Sequence, residues 1–184
     1  MQMFICLEGV DAVGKTAVGT YLAQQLGAAY YKSPGGKFAA ARKMVDEDVD
    51  PLTRYFFYRS ACQYDSGSIR SILNEKPVVC DRYIWSTIAF HAAMDERILR
   101  LVELTGILIP DFTFVLAASD DVRMTRLQRR SDMTHLENNP RLQRKADAIF
   151  RTFGHPLIDT SKTSVAEAAQ HIQQLIGGSN VTKA

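Results

Sequence analysis

The 184-residue chain is poor in cysteine, has no long apolar run and carries a formal charge of only +2, and each shortage removes a class of protein. Cys6, Cys62 and Cys80 are an odd number of cysteines without metal-ligand spacing or the density of a disulfide scaffold. Cys6 and Cys80 sit inside apolar runs, which predicts buried free thiols in a reducing compartment. No apolar stretch approaches the roughly 18 residues of a membrane span. Met1 to Leu7 is too short for a secretory signal, and Glu8 interrupts it. No basic tract is dense enough to indicate nucleic acid on charge alone. The chain also lacks internal repeats, linkers and low-complexity blocks. The expectation is one domain over residues 1–184, cytoplasmic, with no nucleic-acid or membrane partner.

What is present is a phosphate-binding pattern. Gly9-Val10-Asp11-Ala12-Val13-Gly14-Lys15-Thr16 matches G-x-x-x-x-G-K-S/T. A short apolar strand, Met3–Leu7, precedes it, and a helix over Ala17–Leu26, stopped by Gly27, follows it. In that setting Gly9 and Gly14 let the backbone curl around an anion at a helix N-terminus. Lys15 supplies a mobile positive charge for the β- and γ-phosphates, and Thr16 a hydroxyl for Mg²⁺. The plainer reading of the same residues is a chance glycine turn; the flanking strand and helix favour nucleoside triphosphate binding.

Apolar runs alternate with helical patterns, which predicts an α/β fold of the phosphate-loop NTPase type: three layers, α/β/α, around a five-stranded parallel sheet, with a short lid. Strands are expected at Met3–Leu7, Ala28–Tyr31, Val78–Asp81, Phe112–Ala117 and Leu157–Asp159. Helices are expected at Ala17–Leu26, Phe38–Val45, Leu52–Leu73, Asp95–Leu104, Asp121–Arg130, Pro140–Thr152 and Ser164–Ile176, with Asp120 as a cap and a frayed tail from Gly177. Ligands of such sheets gather at the carboxyl ends of the strands. Three motifs fall there: the glycine loop, Ser33-Pro34-Gly35-Gly36-Lys37 and Asp81-Arg82-Tyr83.

Asp81 closes the run Val78-Val79-Cys80, where a carboxylate either holds the water shell of Mg²⁺ or caps the following helix. Arg82 projects toward the gap between donor and acceptor phosphates, or else forms a surface ion pair. Arg126 and Arg130 share a helix face and can neutralise the moving phosphoryl group; Arg123 and Arg129 read as a solvated face. Ser131 to Asn139 reads as a lid that excludes water. Asp11 opposes phosphate unless it meets a hydroxyl or a metal, its plainer role being a turn former.

These motifs, in this order, resemble those of the thymidylate kinases within the nucleoside-monophosphate kinases. Glu8–Thr16 is similar to E-G-x-D-x-x-G-K-T, Lys32–Lys37 to R-E-P-G-G-T, and Phe56-Phe57-Tyr58 to the L-L-F segment before the base pocket. Asp81–Phe90 resembles D-R-Y-x-x-S-x-x-A-Y, Pro110-Asp111 and Leu116–Arg130 the P-D, strand and arginine helix, and Ile158–Ser161 the I-D-A-S loop. The resemblance spans residues 3 to 176. It implies transfer of a phosphoryl group from ATP, with Mg²⁺, directly and in line to a (deoxy)nucleoside monophosphate, most simply dTMP. It places Lys37, Phe57, Arg82, Thr87 and Phe90 on the acceptor side, with Asp11 at the sugar 3′-hydroxyl, Phe57 stacked on the base and Arg82 on the phosphate. Lys15, Arg82, Arg126 and Arg130 stabilise the transferring group. It also implies a homodimer through helices beside the sheet, Leu52–Leu73 among them. Ala61 stands near the family's thymine-reading arginine, Phe90 for a tyrosine, His135 for a lid arginine and Ala117 for an aspartate, and the segment after Asp81-Arg82-Tyr83 is shorter. A nucleoside or atypical nucleotide is the neighbouring acceptor class. A regulatory ATPase is the competing class, its GTPase form weakened by the absence of N-K-x-D.

Overall fold

The computed structural model describes residues 2–129 and 139–181, the side chains of Glu47, Asp48, Ser179, Asn180 and Val181 excepted. Five parallel strands make one sheet in the order β2-β3-β1-β4-β5, where β1 is Phe4–Glu8, β2 Ala29–Lys32, β3 Val78–Asp81, β4 Phe112–Ala117 and β5 Leu157–Asp159. Each expected strand is there, displaced by at most one residue. All five residues of β1 are buried, which requires cover on both sheet faces. Phe4 and Cys6 point into a core with Tyr55, Ile69 and Ile88. Ile5 and Leu7, on the opposite face, join Val18, Leu22 and Ile172. Alternate residues of one strand thus feed two cores, and the α/β/α layering follows.

The helices are α1 (Lys15–Gln25), α2 (Gly36–Asp48), α3 (Pro51–Leu73), α4 (Ile84–Met94), α5 (Asp120–Gln128), α6 (Pro140–Thr152) and α7 (Val165–Val181). Gly27, at φ +59°, ends the first turn out of α1 as its position predicted. Asp50 starts α3 by accepting from the backbone N–H groups of Leu52 (2.9 Å) and Thr53 (3.1 Å), with Pro51 as the first helical residue.

Three expectations are corrected. The helix placed at Asp95–Leu104 is a 3-10 segment, Glu96–Leu101, and the true helix there is α4, which the sequence reading left unassigned. Its residues Ile84, Ile88, Ala89, Ala92 and Ala93 are buried around its circumference, so no polar face exists to produce the periodicity by which surface helices are read. Asp120 is not the cap of α5 but its first residue; Ser119 occupies the cap position. The tail expected to fray from Gly177 continues helically to Val181. Among the described residues no helix is long and apolar enough to cross a membrane.

Candidate active site

Sheet register brings the three motifs to one rim. Asp81 lies opposite both Leu7 and Lys32, so β1, β3 and β2 end at the same level and release their loops side by side. Gly9 opens the first loop at φ +127°, and a Cβ there would lie 2.3 Å from the Leu116 carbonyl oxygen. Only glycine fits. Gly14, at φ +93°, turns the loop into α1. Lys15 is buried, and its Nζ donates to the Val10 carbonyl across the loop at 2.6 Å. Burial, with the Arg82 charge nearby, pushes its ammonium down to about 7.

Thr16 Oγ1 and Tyr30 OH both donate to Asp81 Oδ2, at 2.6 and 2.9 Å, while buried Asp81 Oδ1 has no partner among the described residues. Burial would raise this carboxyl, but Lys15 and Arg82 outweigh it and hold Asp81 below its usual range. The residue is a fixed anion with one free oxygen. Among the described residues no three acidic, His or Cys side chains gather to hold a metal alone. Mg²⁺ does not need such a cage, since it keeps waters and uses one or two carboxylates plus phosphate oxygens. Asp81 Oδ1 and Thr16 fit that requirement.

Arg82, at φ +66°, turns its guanidinium back across the rim. It is ion-paired to Asp11, donates to the Gly9 carbonyl at 3.0 Å and Ser86 Oγ at 3.2 Å, and lies 5.1 Å from the Phe90 ring centre. Ser86 in turn donates to Glu8, a fully buried carboxylate at the end of β1. Asp11 is caged from a second direction. Gln143 Nε2 donates to its Oδ2 at 2.7 Å, and Gln143 Oε1 accepts from its backbone N–H at 3.0 Å. Arg123 donates to the Asp11 carbonyl (2.9 Å) and to Gln143 Oε1 (3.2 Å).

Arg123 is therefore a buried strut of the phosphate loop, not part of the solvated face assigned to it. Gln143 escaped the sequence reading altogether. Its signal was a polar residue on the buried stripe of α6, beside Leu142, Ala146 and Phe150. Arg126 reaches the outer side of the loop, donating to Ala12 O (3.2 Å), Thr160 Oγ1 (3.1 Å) and Thr160 O (2.8 Å). Arg130 and the lid segment 131–138 lie outside the described residues; Asn139, its last residue, caps α6 by accepting from the Leu142 N–H at 3.0 Å.

On the acceptor side, buried Asp65 of α3 was also missed. It accepts from Tyr31 OH and Ser33 Oγ, both at 2.6 Å, and from the Gly35 N–H at 3.1 Å, so it fixes the second glycine loop. A Cβ on Gly35 would meet Tyr31 OH at 2.2 Å. Lys37 is exposed at the start of α2. Phe57 does not face α4: its ring packs on Phe38 of α2, 5.3 Å between centres. The neighbouring Tyr58, about 100° further round the helix, faces α4 with its ring 5.3 Å from His91, as does Tyr55 at 6.1 Å. Thr87 is buried with its hydroxyl 3.5 Å from Cys62 Sγ, and Ala61 is fully buried, not the floor of an open pocket.

A phosphate loop at the head of a parallel sheet, a carboxylate on the adjacent strand and an arginine across the same rim define a phosphate-loop phosphotransferase of nucleotides. The family profile described as thymidylate kinase matches residues 7–175, and the chain belongs to that family. It is 27% identical to a probable thymidylate kinase of Methanocaldococcus jannaschii over 93% of this chain and 94% of that protein. It is 35% identical to the thymidylate kinase of Neorickettsia sennetsu over 67% and 70% of the two chains. The solved thymidylate kinase of Candida albicans shares the fold, with a TM-score of 0.80 over 97% of this chain and 92% of that one at 17% identity.

Proposed function

We propose that the chain transfers the γ-phosphoryl group of ATP to dTMP, giving ADP and dTDP by direct in-line displacement on soluble cytoplasmic nucleotides. The observation that carries this reading is the rim itself: a cradle for one polyphosphate and, beside it, an arginine held by Asp11, Gly9 and Ser86 facing the same gap. Backbone N–H groups of the Gly9–Thr16 loop, other than that of Asp11, which Gln143 takes, bind the donor phosphates, and Lys15, freed from the Val10 carbonyl, pairs with them. Asp81 and Thr16 would hold Mg²⁺, which when bound neutralises charge on the β- and γ-phosphates. Arg82 binds the acceptor phosphate and aligns its oxygen with the γ-phosphorus. Asp11, oriented by Gln143, takes the sugar hydroxyl, with Phe90 against the Arg82 guanidinium, and the role of Thr87 follows from the family pattern. Arg126 supports the loop from outside, and the role of Arg130 follows from the family pattern. Little covalent chemistry is asked of the protein; positioning and charge neutralisation supply the rate.

ADP release measured across the common nucleoside monophosphates tests the proposal, with dTMP expected as the best acceptor. No release with any monophosphate overturns it. Turnover of thymidine in preference to dTMP would move the assignment to a nucleoside kinase, a reading that would leave Arg82 with no acceptor phosphate.

A further inference from the structure

Strand β2 carries two tyrosines in succession, and the reaction described above uses neither. Successive residues of a strand face opposite sides of the sheet, so Tyr30 and Tyr31 enter different layers. Tyr30 lies opposite Val79 and packs against the core of Ile5, Leu7 and Val18. Tyr31 lies opposite Cys80 and packs against the core of Phe4, Tyr55 and Ile69. Each hydroxyl ends on a carboxylate. Tyr30 OH donates to Asp81 Oδ2 at 2.9 Å, and Tyr31 OH donates to Asp65 Oδ1 at 2.6 Å.

Room has been left for the first of these contacts. Asp81 is level with Lys32, two residues beyond Tyr30, so the phenol reaches about 7 Å up the strand, farther than a serine or threonine hydroxyl extends. On that path its ring passes under α1 at Gly19, where a Cβ would stand 3.2 Å from Tyr30 Cε2 and 3.3 Å from Leu7 Cδ1. Glycine inside a helix weakens it, and the ring beneath is the packing reason for this one. Asp81 Oδ2 therefore has two donors, Thr16 and Tyr30, and they are not equivalent. Thr16 belongs to the phosphate loop, and its hydroxyl is itself read as a metal ligand. Tyr30 comes from the edge strand, outside that loop. With Oδ2 held from there the carboxylate plane is fixed. Oδ1, buried and without a partner among the described residues, is the oxygen left for a ligand.

We propose that Tyr30 is the positioning residue of the divalent-cation site: it locks Asp81 in the rotamer that presents Oδ1 to Mg²⁺, and Gly19 is the space that admits its ring. Outer partners of this kind orient ligating carboxylates and tune the metal they hold. Tyr31 does the corresponding work on the other face, holding the Asp65 that fixes the second glycine loop, and so bears on the acceptor alone. The inference rests on the reading of Asp81 as the metal carboxylate of a phosphate-loop kinase and adds to it the residue that sets that carboxylate.

The test measures binding without turnover: calorimetric titration of the imido analogue of ATP, whose β–γ bridge is not cleaved, in EDTA and in Mg²⁺. The proteins compared are wild type, Tyr30→Phe, Tyr31→Phe and Gly19→Ala. Wild type should bind the Mg²⁺ form more tightly than the metal-free form. Tyr30→Phe should leave metal-free affinity within about twofold and cut the preference for the Mg²⁺ form by about tenfold, as for loss of an outer partner of a metal ligand. Its kcat should fall with KM for dTMP held. Tyr31→Phe should keep the Mg²⁺ preference and raise KM for dTMP by about threefold or more, the cost of one hydrogen bond to a charged group. Gly19→Ala, which crowds the ring but keeps its hydroxyl, should lose part of the preference, and it decides the matter if Tyr30→Phe does not fold. A wild type indifferent to Mg²⁺, an unchanged preference in Tyr30→Phe, equal weakening of both nucleotide forms, or the same loss in Tyr31→Phe overturns the inference. Absence of turnover with every monophosphate overturns the kinase reading, while the nucleotide titrations still decide the role of Tyr30.

Discussion

The donor and acceptor halves of the rim are fixed in different ways. Around the phosphate loop three cations are tied to backbone carbonyls: Lys15 to Val10, Arg126 to Ala12 and Thr160, Arg123 to Asp11. The free oxygen of Asp81 is placed where a metal would be held. Around α3 and α4 the polar groups bond to backbone and to one another alike: His91 to the Thr87 carbonyl, Tyr58 to Asp46, and Tyr31, Ser33 and the Gly35 N–H to Asp65. Phosphates are alike in every nucleotide, so a backbone cradle that ignores side-chain identity suffices. Bases differ, and telling them apart requires side chains.

Each half can be broken separately. The largest effect is expected from Lys15→Ala, which should cost about a thousandfold in kcat/KM while the fold survives, as for loss of a preorganised donor at the reacting group. Steady-state rates and circular dichroism check this, and near-normal turnover would show that the cradle works without its lysine. Gly9→Ala should act on the fold instead: the φ of +127° and the approach to Leu116 predict a loss of about 3 kcal/mol, read as a melting midpoint about 6–12 °C lower.

On the acceptor side, His91 should leave a mark on stability against pH. Its folded pKa lies below the unfolded value, so the unfolded chain binds more protons between about 4 and 6.5. Stability should fall as pH drops through that window, by up to about 3 kcal/mol, and His91→Gln should flatten the profile there. Denaturant titrations at pH 4.5 and 7 decide it, and identical slopes in the two proteins would place the ring in water. The smallest effect is assigned to Phe57→Leu. Because that ring packs on α2, KM for dTMP should change by less than about threefold, within the ordinary range for substitutions away from a site. A larger rise would place the base on the Phe57 ring.

Legibility followed the same division. The glycine loop, the five strands and the rim shared by Asp11, Asp81 and Arg82 were readable because their signals are local: strand, turn and helix within a few consecutive residues. α4 was missed because a helix buried around its circumference has no polar face to reveal it. Arg123 was read as solvated because a sequence does not show which side of a short helix meets a loop more than a hundred residues earlier. That the Phe57 ring packs on α2 while Tyr58 meets α4 turns on a single step of helical rotation, which the sequence does not show.

Taken alone, the order of residues determined that this chain wraps phosphate at the head of a parallel sheet, since φ-permissive glycines and apolar runs act through the backbone of their own neighbourhood. It did not determine what Asp11 leans on, which face of α3 meets α4, or that Asp65 fixes the second glycine loop. Those depend on hydrogen bonds and contacts between segments far apart in the chain, whose geometry exists only once both cores have closed around β1.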